Sequence, residues 1–243
     1  MQRYFAPVVS SKALLSEADR HHLLDVMRTP VGANIEIVDG GDIFSAKVVS
    51  KDPLEIAVGE KLSRESELPS SLLLAFALLK HGNDEWILEK GTELGVASFC
   101  PFISSRTIVR VDEQEDQDKK RERYLKIVKG AAEQSKRSLI PEVQPIRSFE
   151  ELLKTPADVR LLAYENFSDE VETLPEALKG VKPHQTCLVL IGPEGGFSPA
   201  EAEEAKGKGF TFVSLGRRIL RAETAAIYAA SVFGYALEAE RKA

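Results

Sequence analysis

Residues 187–230 read CLVLIGPEGGFSPAEAEEAKGKGFTFVSLGRRILRAETAAIYAA. Two apolar runs, Leu188–Ile191 and Phe210–Leu215, each break at a glycine, and each leads into a helical pattern. The first gives way to Gly192-Pro193-Glu194-Gly195-Gly196, the second to Gly216-Arg217-Arg218-Ile219-Leu220-Arg221-Ala222-Glu223-Thr224. Strand, glycine turn and helix is a common way to build a ligand site in an α/β protein. Its repetition here, with glutamate and arginine inside the turns, points to a binding function.

The first turn combines φ freedom at its glycines with a strong helix start: Ser198 as N-cap, Pro199 at the first position and Glu201 closing a capping box. A filled cap with added negative charge disfavours a phosphate there. Neither G-x-x-x-x-G-K-[ST] nor a G-x-G-x-x-G after the first strand is present, so the usual phosphate and dinucleotide fingerprints are missing. The pattern suits a ligand read by backbone groups, or simply a tight capped turn. In the second turn Ile219 and Leu220 can wall a flat apolar ligand, and one of Arg217, Arg218 and Arg221 can meet a carboxylate or phosphate. An Arg221–Glu223 brace is the plainer alternative. Thr224 is expected to cap the final, alanine-rich helix.

Outward from this stretch the chain divides. Residues 3–62 read as short strands, with a hairpin at Asp39-Gly40-Gly41-Asp42 and one helix capped by Ser16. Residues 63–71 read as a linker between residues 1–68 and 72–243. From Leu72 onward, strands at Leu72–Leu79, Ser98–Ile103 and Val159–Tyr164 alternate with helices at Asp84–Leu94 and Asp116–Lys136. That alternation predicts an α/β fold with a mostly parallel sheet.

With 243 residues, 43% of them apolar, the chain can bury a substantial core. The net charge of −6 argues against non-specific nucleic-acid binding. A basic run from Lys119 to Arg137 leaves room for a local RNA contact, or for a solvated helix face with ion pairs. No apolar run approaches a membrane span. The two lone cysteines and a start without a signal-peptide core predict a reduced, cytoplasmic protein. His21, His22, His81 and His184 form no metal pattern, so no metal is expected.

The GPEGG turn followed by LGRRILRAETA resembles the C-terminal signature of the RsmE family, the 16S ribosomal RNA uridine-N3 methyltransferases of the SPOUT superfamily. His22–Arg28 (HLLDVMR), Glu89–Val96 (EKGTELGV), Ser104-Ser105-Arg106, and Ala132–Arg137 (AAEQSKR from Ala131) with Pro141 resemble further elements, in order along nearly the whole chain. Glu89 stands where that family often has glutamine. The resemblance implies a PUA-like β-barrel followed by a SPOUT domain with a C-terminal trefoil knot. It implies S-adenosyl-L-methionine as cofactor, a homodimer, and 16S rRNA of the small ribosomal subunit as substrate. By the same resemblance Glu165, Ile191, Gly192, Pro193, Glu194, Gly195, Gly196, Leu215, Gly216, Ile219, Leu220, Thr224 and Ala225 would line the cofactor site. Arg221, Glu223 and Glu194 are the catalytic candidates, and Arg3, Arg28, Arg106 and Arg137 the candidates for RNA docking. A SPOUT enzyme acting on transfer RNA and a non-catalytic ribosomal RNA-binding protein are the rival readings.

Overall fold

The computed structural model describes residues 1–111, 113–164 and 171–240, with residues 239 and 240 described by backbone alone. Two compact units emerge. One holds Met1–Glu67 together with Ala132–Ile140, the other Leu68–Ala131 and Pro141–Ala243.

In the first unit, β1 (Arg3–Phe5), β2 (Val8–Val9) and β3 (Lys12–Ala13) precede α1 (Glu17–His21), which continues into a π-helical turn at His22–Val26. The hairpin β4 (Asn34–Asp39) and β5 (Asp42–Lys51) follows, then β6 (Leu54–Leu62). The predicted single strand Arg3–Val9 is thus broken at Ala6-Pro7. The sheet order is β1-β4-β5-β6-β3-β2, antiparallel except where β1 joins β4. Laid flat, its end strands β1 and β2 would stand about 24 Å apart. Three Cα steps from Phe5 to Val8 span at most about 11 Å. The sheet therefore curls on itself into a small barrel-like body around Tyr4, Leu23, Ile35, Ile37, Val48 and Ile56.

The same unit contains a buried charge network. The Arg3 guanidinium meets Glu36 at 2.9 Å, both side chains 1% exposed. Arg3 also donates to the carbonyls of Lys136 and Arg137. Arg64 reaches the other oxygen of Glu36. Nearby, Glu67 accepts hydrogen bonds from Arg137 Nε at 3.1 Å and from Ser138 N at 2.9 Å. Residues 132–140 thus return to the N-terminal unit, an arrangement the sequence reading did not foresee.

Burial works against the charge on Glu67, but the Arg137 guanidinium and the Ser138 donors outweigh it and hold the carboxyl below its usual 4.5. A depressed folded value adds stability above the unfolded pKa and loses it as the pH falls through the folded one. Urea unfolding from pH 7 to pH 3.5 should show that loss. Glu67→Gln should cost about 1–3 kcal/mol at pH 7 and flatten the acid limb; equal slopes in both proteins would contradict the assignment.

In the second unit, β7 (Ser71–Ala77), α2 (Asn83–Glu93) and β8 (Ser98–Ile103) lead to the long α3 (Gln114–Gln134). Then come β9 (Glu142–Val143), β10 (Arg147–Ser148), α4 (Phe149–Leu152), β11 (Val159–Ala163), β12 (Glu172–Thr173) and α5 (Leu174–Leu178). The quoted stretch supplies β13 (Thr186–Ile191), α6 (Pro199–Gly207), β14 (Thr211–Ser214) and α7 (Ala222–Glu240). The strand order is β10-β8-β7-β13-β11-β14-β12, with β9 also on β8, and every pairing is parallel. Leu72, Leu74 and Phe76 face one core with Val189, Ile191 and the alanines of α7; Ala75 and Ala77 face the other with Leu188, Leu190 and Ala205 of α6. The period of two in strands that are apolar on both faces produces this two-sided burial. Among the described residues no helix is long and apolar enough to cross a membrane.

Much of the basic run on α3 is paired: Lys119 with Glu115, Lys120 with Asp84, and Arg123 with Glu85. Arg121 donates to the Val143 carbonyl at 2.9 Å. The helix is ion-paired at those residues, but with Glu115 on α3 and Asp84 and Glu85 on α2 in place of the expected Asp116, Asp118 and Glu122.

Candidate active site

Parallel strands bring their carboxyl ends to one side of the sheet, where connecting loops meet. β7, β13, β11 and β14 are consecutive neighbours there. The loop after β13 closes with Gly196 N donating to Pro193 O at 2.8 Å. Gly196 sits at φ 64°, where a side chain is strained, and a Cβ on Gly192 would lie 3.1 Å from the Phe197 ring. The turn requires glycine at both positions. Ser198 then caps α6, and its hydroxyl accepts from Glu201 N, as the capping box predicts.

The loop after β8 leans on this turn. Arg106 Nη1 donates to Gly195 O at 2.8 Å and to Phe197 O at 3.3 Å. Ser105 donates to Glu201 from its backbone at 2.8 Å and from its hydroxyl at 2.9 Å. Burial tends to raise the Glu201 carboxyl, but these donors and those of Ser198 hold it below the usual carboxylate range.

The loop after β14 begins with Gly216 N donating to Ser214 Oγ at 3.1 Å, and Gly216 sits at φ 110°. A Cβ there, or on Gly196, would meet nothing within 4 Å, so both glycines leave open space beside the backbone. α7 starts at Ala222, so Thr224 lies inside its first turn, exposed, and does not cap it. This corrects the sequence expectation: the helix starts three residues earlier than a Thr224 cap would place it.

Together these loops bound a cleft of about 840 Å³, within the usual range for small-molecule sites. Ile191, Gly192, Pro193, Glu194, Gly195, Gly196, Leu215, Gly216, Ile219, Leu220 and Ala225 all line it, as do Arg221 and Glu223. Thr224 is not among the lining residues, and Glu165 lies outside the described residues. Lys80, Arg106, Arg218 and Arg221 place four cations on the lining against the carboxylates of Glu194 and Glu223. Ile219 is 73% exposed, an apolar side chain available to a ligand.

Lys80, His81, Asn83 and Tyr164 also line the cleft and were missed from sequence. Lys80 N donates to Glu194 Oε1 at 3.2 Å, which ties the glycine turn to the end of β7. His81 at φ 60°, followed by Gly82 at 75°, gives that loop its sharp path. The apolar run ending in Lys80-His81-Gly82 was the available signal, since a polar turn directly after a buried parallel strand belongs at the ligand edge.

The RNA-docking candidates fare differently. Arg3 and Arg137 are 2% and 3% exposed, and their guanidiniums are engaged with Glu36 and Glu67. A phosphate cannot reach them, so the structure assigns both to stability. Arg106 braces the turn from the edge of the cleft. Arg28 is exposed and occupies the left-handed position, φ 49°, that ends its helical segment.

A sheet of this kind, with a glycine-walled cleft at its carboxyl edge, defines an α/β ligand-binding domain, and residues 66–234 match the family model described as RNA methyltransferase domain. The chain is 38% identical, over 98% of both sequences, to the ribosomal RNA small subunit methyltransferase E of Bacillus subtilis strain 168. It belongs to that methyltransferase family. Among solved structures, the Neisseria gonorrhoeae ribosomal RNA small subunit methyltransferase E bound to S-adenosyl methionine is 30% identical, with a TM-score of 0.84 over 95% of this chain and 96% of that one. A putative methyltransferase from Legionella pneumophila in complex with the same cofactor is 32% identical, with a TM-score of 0.86 over 96% and 97%.

Removing the Arg3 guanidinium leaves Glu36 buried with fewer donors. Arg3→Ala should therefore lower unfolding free energy by about 3 kcal/mol, measured by urea denaturation. A variant of wild-type stability with weakened RNA binding would restore the docking role to Arg3.

Proposed function

We propose that this chain transfers a methyl group from S-adenosyl-L-methionine to a uridine N3 of 16S rRNA in the small ribosomal subunit. The cleft carries the proposal. It has glycine backbone open to a ligand at Gly196 and Gly216, apolar walls at Leu215, Ile219 and Leu220, and carboxylates beside them. Those features fit S-adenosylmethionine: backbone groups at Ile191, Leu215 and Leu220 can read an adenine edge, and the apolar walls can cover its faces. Family membership and the cofactor-bound relatives support the same reading, and disfavour a non-catalytic RNA-binding protein.

When bound, the cofactor supplies a methyl group already activated by its sulfonium charge, so the protein's task is placement. Uridine N3 carries a proton at neutral pH and sits on the pairing edge, so the base must be unpaired and deprotonated. Arg221, with no side-chain partner among the described residues, is free to hold negative charge on the uracil carbonyl oxygens. One oxygen of Glu194 already accepts from Lys80 N. Glu223, in the first turn of α7, has no such bond among the described residues and is the better proton acceptor.

Lys80 and Arg218 at the cleft and Arg28 on the barrel are the cations we assign to RNA phosphates. Trp86 on α2 (61% exposed) and Tyr235 on α7 (77%), with Tyr228 one heptad before it, are large aromatic surfaces. They suit the homodimer of the family resemblance. We place the activity in the cytoplasm, where ribosomal subunits are assembled and where the buried free thiols Cys100 and Cys187 stay reduced.

Arg221→Ala should lower turnover about 10²–10³-fold while cofactor affinity stays within about twofold by calorimetry. Loss of cofactor binding with intact turnover per bound cofactor would remove Arg221 from the chemistry. Mass-spectrometric mapping after incubation with unmodified small subunits should find the methyl on a 16S rRNA uridine N3; methyl on a transfer RNA, a ribose oxygen or a guanine would overturn the substrate assignment. Arg28→Glu should weaken RNA binding and lessen its salt dependence without changing cofactor affinity; unchanged RNA affinity at physiological salt would clear Arg28.

A further inference from the structure

Three helices of the second unit begin with the same device, and one of them differs. At α4, Glu151 Oε2 accepts from Ser148 N at 3.0 Å, and at α5, Glu176 Oε2 accepts from Thr173 N at 3.0 Å. Both glutamates are exposed, and their hydrogen bonds close on their own cap. At α6, Glu201 Oε2 makes the matching bond from Ser198 N at 2.8 Å. Glu201 is only 7% exposed, and it accepts two further bonds from Ser105, a residue 96 positions away. A helix cap does not require a buried carboxylate saturated from a second loop.

The connection leads to the cleft. Ser105 is followed by Arg106, whose guanidinium holds the carbonyls of Gly195 and Phe197 on the far side of the glycine turn. Glu201 fixes the loop after β8, that loop fixes Arg106, and Arg106 fixes the turn. We propose that Glu201 is a positioning residue for the cofactor: through Ser105 and Arg106 it holds the Gly192–Gly196 turn in its ligand-receiving shape. It touches no ligand, and it acts on cofactor affinity. This inference rests on the reading of the cleft as a cofactor site.

The carboxylate accepts four donors, and an amide cannot. Glu201→Gln presents an NH2 group to at least one donor, so the loop or the cap must give way. Preorganised geometry is lost when its support is loosened.

The test compares Glu201→Gln, Ser105→Ala and, as a control, Glu151→Gln, which breaks a capping box closed on Ser148 alone. Calorimetric titration with S-adenosylmethionine, thermal melting and steady-state kinetics are measured on each. Glu201→Gln should weaken cofactor binding about tenfold and raise the KM for cofactor likewise, with kcat at saturating cofactor within about twofold of wild type. Ser105→Ala, which keeps the backbone donor, should weaken it about threefold. Glu151→Gln should lower the melting temperature and leave affinity unchanged. If Glu201→Gln melts lower but binds as wild type does, or if Glu151→Gln weakens binding equally, the positioning role is overturned while the proposed function stands. Wild-type protein that fails to bind the cofactor would overturn the proposed function and this role together.

Discussion

Parallel pairing throughout the larger sheet is the constraint on which the site depends. Because β7, β13, β11 and β14 run the same way and are neighbours, the segments that leave them emerge at one edge. Residues distant in sequence, Lys80, Arg106, Glu194 and Arg221, meet there without any local signal connecting them. Burial of both sheet faces keeps that edge rigid: Leu72, Leu74 and Phe76 pack one way, Ala75 and Ala77 the other. A rigid edge allows glycine-rich loops, which cost conformational entropy to order, to hold one shape.

The loops are held by hydrogen bonds to backbone as well as by the packing of Phe197, Leu215 and Leu220. Glu194 takes the Lys80 amide, Arg106 takes two carbonyls of the first turn, and Ser214 takes the Gly216 amide. Such contacts occupy Glu194 and Arg106 and leave the side chains of Arg218, Arg221 and Glu223 available on the lining. The local excess of cations in an acidic chain gives a substrate of opposite charge a place to settle without making the whole surface sticky to nucleic acid.

Much of this was legible in the sequence because the signals are local. Ser198, Pro199 and Glu201 specify a helix start by chemistry alone, and Gly40-Gly41 specify a hairpin. The motif resemblance identified the family, and the structure gathers its GPEGG, LGRRILRAETA and Arg106 elements round one cleft, which His22–Arg28, Glu89–Val96 and Ala132–Arg137 do not line. What escaped was long-range. Arg3 and Arg137 read as surface cations, since a guanidinium looks the same in sequence whether it meets a phosphate or a buried Glu36 or Glu67. The return of residues 132–140 to the N-terminal unit has no period or composition to announce it. The short β9, β10 and β12 are two-residue pairings whose existence depends on their neighbours. Thr224 misled because a threonine near a helix start is a common cap, and here α7 begins at Ala222.

Calorimetric titration of the purified chain with S-adenosylmethionine, with ATP as the comparison, tests the central claim most directly. The cleft as described predicts one saturable cofactor site per chain and no competition from ATP, whose phosphates find a capped helix start and Glu201 where a phosphate site would need free amides. A folded protein that ignores S-adenosylmethionine, or binds ATP in its place, would contradict the account.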